Sequence, residues 1–185
     1  MYKKIAGIIS LLLCCTAASA EAWQWQMGFG KGLNKVLIQQ HGIANAEAAS
    51  VGVHLPVDWV AAFEWGGVDK TYIKLQYSHL WGDYHDQTPQ LSISETALEF
   101  RWLADDYPLW FAEIGVGLSH LSDRRYESIE MHGPNNFSLD FALGKRLDVA
   151  PNWELSLRYR HYSNGYTHRP NPGLDYGAVV LAYLF

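Results

Sequence analysis

The chain has 185 residues and two cysteines, Cys14 and Cys15, both within its first twenty residues. Charge is also scarce: Asp, Glu, Lys and Arg make up 18%, below the roughly 25% of ordinary soluble domains. There is no basic excess. Fourteen Lys and Arg against nineteen Asp and Glu give a net charge of −5, which excludes the basic footprint of a nucleic-acid binder. No internal stretch approaches the roughly 20 apolar residues of a membrane helix, so a helical membrane protein is excluded and a strand-built one is not. The sequence has no Gly-x-Ser-x-Gly elbow and no phosphate loop, and its 8 histidines show no zinc spacing; no metal or cofactor is expected. Aromatic residues are plentiful, with 8 Trp, 11 Tyr and 7 Phe. That richness argues against disorder, and the length suits one domain.

The first twenty residues read as an export signal. Lys3 and Lys4 form its positive end, Ile5 to Thr16 its short apolar run, and Ala18-Ser19-Ala20 its small-x-small cleavage site. Residues 1–20 are thus expected to be a signal peptide and 21–185 the folded domain, starting at Glu21. A short anchor helix is the alternative, disfavoured by length. A lipoprotein needs a small residue before its cysteine, and Leu13 is not small. Cleavage would remove both cysteines, leaving burial and backbone pairing to stabilise an exported chain. It would also move the net charge to −7, since Lys3 and Lys4 go with it.

Beyond the signal, apolar and polar residues alternate in eight separate runs. Examples are Trp23, Trp25, Met27 and Phe29 against Gln24, Gln26 and Gly28, and Trp153, Leu155, Leu157 and Tyr159 against Glu154, Ser156 and Arg158. Period-two alternation predicts strands with two unlike faces. The expected architecture is all-β, an eight-stranded antiparallel transmembrane β-barrel. Alternation alone does not say which face points inward. Three features favour apolar-out. Charges of both signs mix with glycines on the minority face, aromatics cluster at strand ends, and the chain ends on an alternating strand closing at Phe185. Short links near Ala104–Tyr107 and Asp148–Pro151 alternate with longer ones at 31–46, 82–89, 119–135 and 164–174. Short periplasmic turns and long outer loops are the usual asymmetry. Residues 56–70 are an exception, long for a periplasmic turn, and read as an amphipathic or extended segment.

The chemistry concentrates in Arg160-His161-Tyr162-Ser163-Asn164-Gly165 and the following His168 to Asp175. His161 and Ser163 share a strand face, which allows a neutral imidazole to take the serine proton. The base then needs a third group to fix its tautomer, and Asp175 opens the next strand within reach of His161 in a hairpin. All three continue the apolar faces of their strands, so an apolar-out barrel places them on its exterior. A polar trio there suits attack on a lipid of the outer leaflet. The alternative is plain loop chemistry, since His-x-Ser is common and Asn-Gly and Pro-Gly runs make turns. Arg124, Arg125 and Lys70 are candidates for lipid phosphates, with solvated loop charges an equal reading.

His161-Tyr162-Ser163-Asn164-Gly165 followed by Pro170-Asn171-Pro172-Gly173 and an acidic residue resembles the signature of the lipid A 3-O-deacylases, the PagL family. The strand pattern, Pro108 to Gly117 and the aromatic C-terminus extend the resemblance over most of the chain beyond the signal. The resemblance implies an outer-membrane enzyme that removes the ester-linked 3-position acyl chain of lipid A, the lipopolysaccharide anchor. It implies Ser163 as nucleophile, His161 as base and Asp175 as the acidic member, with Asn171 and amides around Asn164 and Gly165 as oxyanion donors. The best-known members carry Glu where this chain has Asp175. The expected setting is the outer membrane of a Gram-negative cell with the site facing the surface. A homodimer is left open. The competing readings are a non-enzymatic small outer-membrane barrel and a soluble periplasmic binding barrel with the reverse face pattern.

Overall fold

The computed structural model describes residues 23–33, 43, 45–104, 106 and 109–185. The expected signal peptide, both cysteines and parts of the links at 31–46 and 104–107 lie outside the described residues. Eight long strands form the barrel: β1 (Gln24–Gly32), β2 (Ala46–Val57), β3 (Lys70–Gly82), β4 (Gln90–Leu103), β5 (Trp110–Leu121), β6 (Asn135–Leu147), β7 (Ala150–Ser163) and β8 (Leu174–Leu184). Each pairs antiparallel with its neighbours in sequence, and β8 closes on β1 from Gln24↔Leu184 to Gly32↔Tyr176. Closure leaves no unpaired edge, which lipid could not satisfy.

Every predicted run coincides with one of these strands, with Trp23 and Phe185 each one residue beyond a strand end, and the apolar parity points outward. Phe29, Val51, Val116, Leu118, Leu143, Leu157 and Val179 are exposed, while Gln26, Lys74, Glu99, Arg101, Glu113, Asp140, Glu154 and Arg158 are buried. This is the pattern of a membrane barrel and excludes the reverse pattern of a soluble one. The buried charges satisfy one another. Arg158 bonds Glu99 at 2.5 Å, Asp140 at 3.3 Å and Glu113. Arg101 spans Glu113 at 2.6 Å and Glu154 at 2.9 Å. Lys74 meets Asp140 at 2.7 Å and Glu95 at 3.0 Å. Buried ions are tolerable only when paired this fully.

The two rims differ. At the rim where β7 starts, β6 and β7 are joined through Asp148 and Val149 alone, with a register shift between Arg146 and Leu147. Trp23, Trp25, Trp102, Trp110, Trp153 and Tyr183 all lie toward this rim, so the expected aromatic girdle is concentrated at one end; Trp81 sits at the other. Residues 56–70 also belong here. The expected amphipathic or extended segment proves to be a 3-10 helix over Val60–Gly66. Phe63 packs edge-on against Phe100, with centroids 4.7 Å apart, and Trp102 Nε1 donates to Gly66 O at 2.8 Å. These contacts fold the segment back onto the wall.

The opposite rim is plugged by apolar side chains. Residues Arg125–Tyr126 and Ile129–Glu130 form a small two-stranded hairpin, and its Tyr126 and Ile129 join Leu80, Leu91, Ile93, Leu121 and Tyr162 in one buried cluster. The interior is thus polar through its middle and apolar at this mouth, where β7 ends and β8 begins.

Candidate active site

The β7–β8 hairpin carries the polar cluster. Its ladder places Asp175 directly opposite His161 and Leu174 opposite Tyr162. Directly opposed residues hold their Cβ atoms about 5 Å apart, so short side chains suffice to meet. His161 Nδ1 lies 2.5 Å from Asp175 Oδ1. This contact engages Nδ1 and leaves Nε2 as the nitrogen open to another partner. His161 and Ser163 share the face of β7 that carries Leu155 and Leu157, and both are nearly closed to solvent, 4% and 6% exposed. No hydrogen bond among the described residues joins Ser163 to His161. Such contacts commonly tighten only when substrate is bound.

The loop after Ser163 is tied to itself. The Asn164 N–H donates to Asn171 Oδ1 at 3.0 Å, and Asn164 Nδ2 donates to Pro170 O at 3.2 Å. Thr167 returns its N–H at 3.2 Å and its hydroxyl at 2.7 Å to Asn164 O. Gly165 is at φ 61°, in the left-handed region where side chains are costly. A Cβ there would lie 2.7 Å from the Phe137 ring, so glycine is required twice over. The Asn164–Asn171 bond spends Asn164's backbone amide. It leaves Asn171 Nδ2 and the Gly165 N–H as donors with no partner among the described residues.

Other candidates fall elsewhere. His168 stacks on His132, with centroids 3.6 Å apart and planes at 10°, and is unconnected to His161. Arg125 pairs with Glu130 at 3.2 Å on the exposed hairpin. Lys70 opens β3 at the short-turn rim, opposite the rim that holds Ser163, because strand direction alternates. His54, Glu99 and Glu113 bring ligand atoms within 4.8 Å of one another inside the barrel. Their carboxylates are already held by Arg158, and Glu113 also by Arg101, so the donor set is that of an ion-pair network. At the plugged mouth, burial and then the neighbouring Glu127 push the Tyr126 phenol up to about 12.

Beside the cluster, a groove of about 620 Å³ runs over Thr96, Leu118 and Phe137 to Asn164 and Thr167. A larger one, about 800 Å³, lies around Lys31, Glu47, His79 and Trp81 on the β1–β4 side, away from the hydroxyl, imidazole and carboxylate. Sequence reasoning missed three neighbours of the cluster: Phe137, whose ring fixes Gly165, Tyr159, and Leu33, whose N–H donates to Asp175 O at 3.0 Å. Phe137 and Tyr159 stand within the alternating runs like any wall residue, and their special contacts exist only once register is set.

Fold and cluster together define a small transmembrane β-barrel carrying hydrolase-type side chains on its wall rather than a pore. Residues 47–183 match the family described as lipid A 3-O-deacylase (PagL), and the chain belongs to that family. Lipid A deacylase PagL of Bordetella bronchiseptica is 25% identical over 185 residues, covering 99% of this chain and 96% of that protein. The crystal structure of the outer membrane enzyme PagL superposes with a TM-score of 0.57 at 14% identity, covering 86% of this chain and 98% of the other. Neisserial surface protein A shares the fold at a TM-score of 0.52 and 12% identity, covering 90% and 98%. The chain is therefore an ester-hydrolysing enzyme of the bacterial outer membrane, and the non-enzymatic reading falls away.

Proposed function

We propose that this barrel removes the ester-linked 3-position acyl chain of lipid A by acyl transfer through Ser163. The Ser163 hydroxyl attacks the ester carbonyl as His161 Nε2 takes its proton. Asp175 holds the imidazole by Nδ1 and stabilises the imidazolium that forms. The developing oxyanion is received by Asn171 Nδ2 and the Gly165 N–H, with Asn164 acting by orienting Asn171. Collapse of the tetrahedral intermediate breaks the ester bond, and His161 returns the proton to the departing sugar hydroxyl. Water, deprotonated by His161, then releases the fatty acid from Ser163.

The observation that carries this reading is the His161–Asp175 contact, which leaves Nε2 free two residues from a serine on the same face. The groove over Phe137 and Leu118 offers an apolar path for the chain being removed. Long loops crown the rim that bears Ser163, and the two-residue Asp148–Val149 turn lies at the other. With short turns in the periplasm, the site faces the outer leaflet, where lipopolysaccharide resides.

The test is mass spectrometry of lipid A from cells expressing the wild type or Ser163→Ala, with folded barrel in the membrane checked by heat-modifiable migration. Loss of one 3-position acyl group with the wild type and none with Ser163→Ala is expected. Deacylation by folded Ser163→Ala would overturn the assignment.

A further inference from the structure

Tyr159 lies on β7 two residues before His161 and opposite Gly177 of β8, diagonal to Asp175. Its ring runs alongside Phe141, with centroids 6.3 Å apart and planes at 29°. Two side-chain oxygens here are shut off from solvent yet lack a hydrogen-bond partner: Tyr159 Oη and Asp175 Oδ2. One belongs to a phenol, able to donate, and the other to a carboxylate, able only to accept when ionised. They are within electrostatic reach of each other. Leu33 closes this corner: its N–H bonds Asp175 O, and its side chain would touch a methyl placed on Gly177 at 3.5 Å. Water therefore has little room to serve either oxygen, and a phenol donor and a carboxylate acceptor are complementary partners.

We propose that Tyr159 is a positioning residue that donates its phenolic hydrogen to Asp175 Oδ2 and so keeps Oδ1 turned toward His161. The inference rests on the Ser163–His161–Asp175 reading. A carboxylate held only through Oδ1 can rotate about its Cβ–Cγ bond and present either oxygen, or neither, to the imidazole. A donor on the far oxygen removes that freedom. Because it acts through Asp175, Tyr159 should affect turnover without contributing to substrate binding.

The experiment is a double-mutant cycle with the full-length protein in its folded form, using lipid A as substrate. Tyr159→Phe keeps the ring and its packing. It should lower kcat about 5- to 20-fold with KM unchanged, and should cause no further loss in an Asp175→Asn background. Wild-type kcat in Tyr159→Phe, a change in KM alone, or the same fold-loss in both backgrounds would overturn the proposal. Tyr159→Met, which fills the space without a donor, is read by the same criteria if Tyr159→Phe does not fold. If Asp175→Asn alone keeps wild-type kcat, the triad reading itself has failed. If Asp175→Asn is impaired while Tyr159→Phe is not, only the role of Tyr159 is lost.

Discussion

Asp175 stands directly across the β7–β8 ladder from His161, with Oδ1 2.5 Å from Nδ1. The register lets an aspartate reach the imidazole at a position where the family resemblance leads one to expect glutamate. In a directly opposed pair the missing methylene is not needed, because the two Cβ atoms are already close. The carboxylate is fully buried, so its charge acts on the imidazole with little screening by water.

Asp175→Asn and Asp175→Glu should therefore behave very differently. The amide preserves shape but cannot hold the same tautomer or stabilise the imidazolium, and kcat should fall by roughly 10²- to 10⁴-fold. Glutamate keeps the charge and must only bend its longer chain. Its kcat should stay within about 10-fold of wild type, since the charge itself is retained. Initial rates of fatty-acid release from lipid A, measured on folded protein, separate the two outcomes.

Asn171 offers a second separation, between loop order and oxyanion stabilisation. Its Oδ1 receives the Asn164 N–H at 3.0 Å, which leaves Nδ2 available for the proposed oxyanion. Asn171→Asp keeps the acceptor that orders the loop but replaces the donor with a negative oxygen. Its kcat should drop by about 10²- to 10³-fold, the cost typical of losing one oxyanion donor. KM should change little. Loss of KM without loss of kcat would place Asn171 in substrate binding instead.

Much of this was legible in the sequence because strand alternation is a local signal. Trp23 to Phe29 or Leu155 to Tyr159 declare their faces without reference to any other strand. The mixed charges of the minority face declare which side is inward, since lipid does not tolerate them. What a local signal cannot carry is register. Arg158 meets Asp140, Glu113 and Glu99 at sequence separations of 18, 45 and 59, and only the closed ladder brings them together. The apolar plug was hidden for a related reason. Leu80, Leu91, Ile93 and Leu121 lie on the inward parity, where the strand middles carry polar groups, so they read as breaks in pattern. His161, Ser163 and Asp175 could be put forward as a group because they are close in sequence, whereas Leu33 meets Asp175 from the far end of the chain.

The interior network should respond asymmetrically to truncation. Arg158 holds three buried carboxylates, so Arg158→Met would leave Glu99, Glu113 and Asp140 with their mutual repulsion exposed. Removing one partner of a buried pair costs about 3–5 kcal/mol, and a lower denaturant midpoint for unfolding from lipid vesicles should show it. Glu154→Gln should cost less, because Glu113 still pairs with Arg101 at 2.5 Å. Equal midpoints for the two variants would contradict this account of the interior.

Gly165 links loop geometry to the reaction most directly. Alanine there meets two penalties at once. The φ of 61° costs about 1–2 kcal/mol for an L side chain, and the new methyl would lie 2.7 Å from the Phe137 ring. The barrel itself should remain folded, because Gly165 lies beyond the end of β7. The loop should instead shift outward, carrying its amide and the Asn164–Asn171 bond away from Ser163. We expect kcat to fall at least 10-fold, which a displacement of about 1 Å can produce, with little change in the unfolding midpoint. Adding Phe137→Ala removes the clash but not the dihedral penalty, so activity should return only in part. Full recovery would show that the ring alone demands glycine, and no recovery would show that the left-handed backbone alone does.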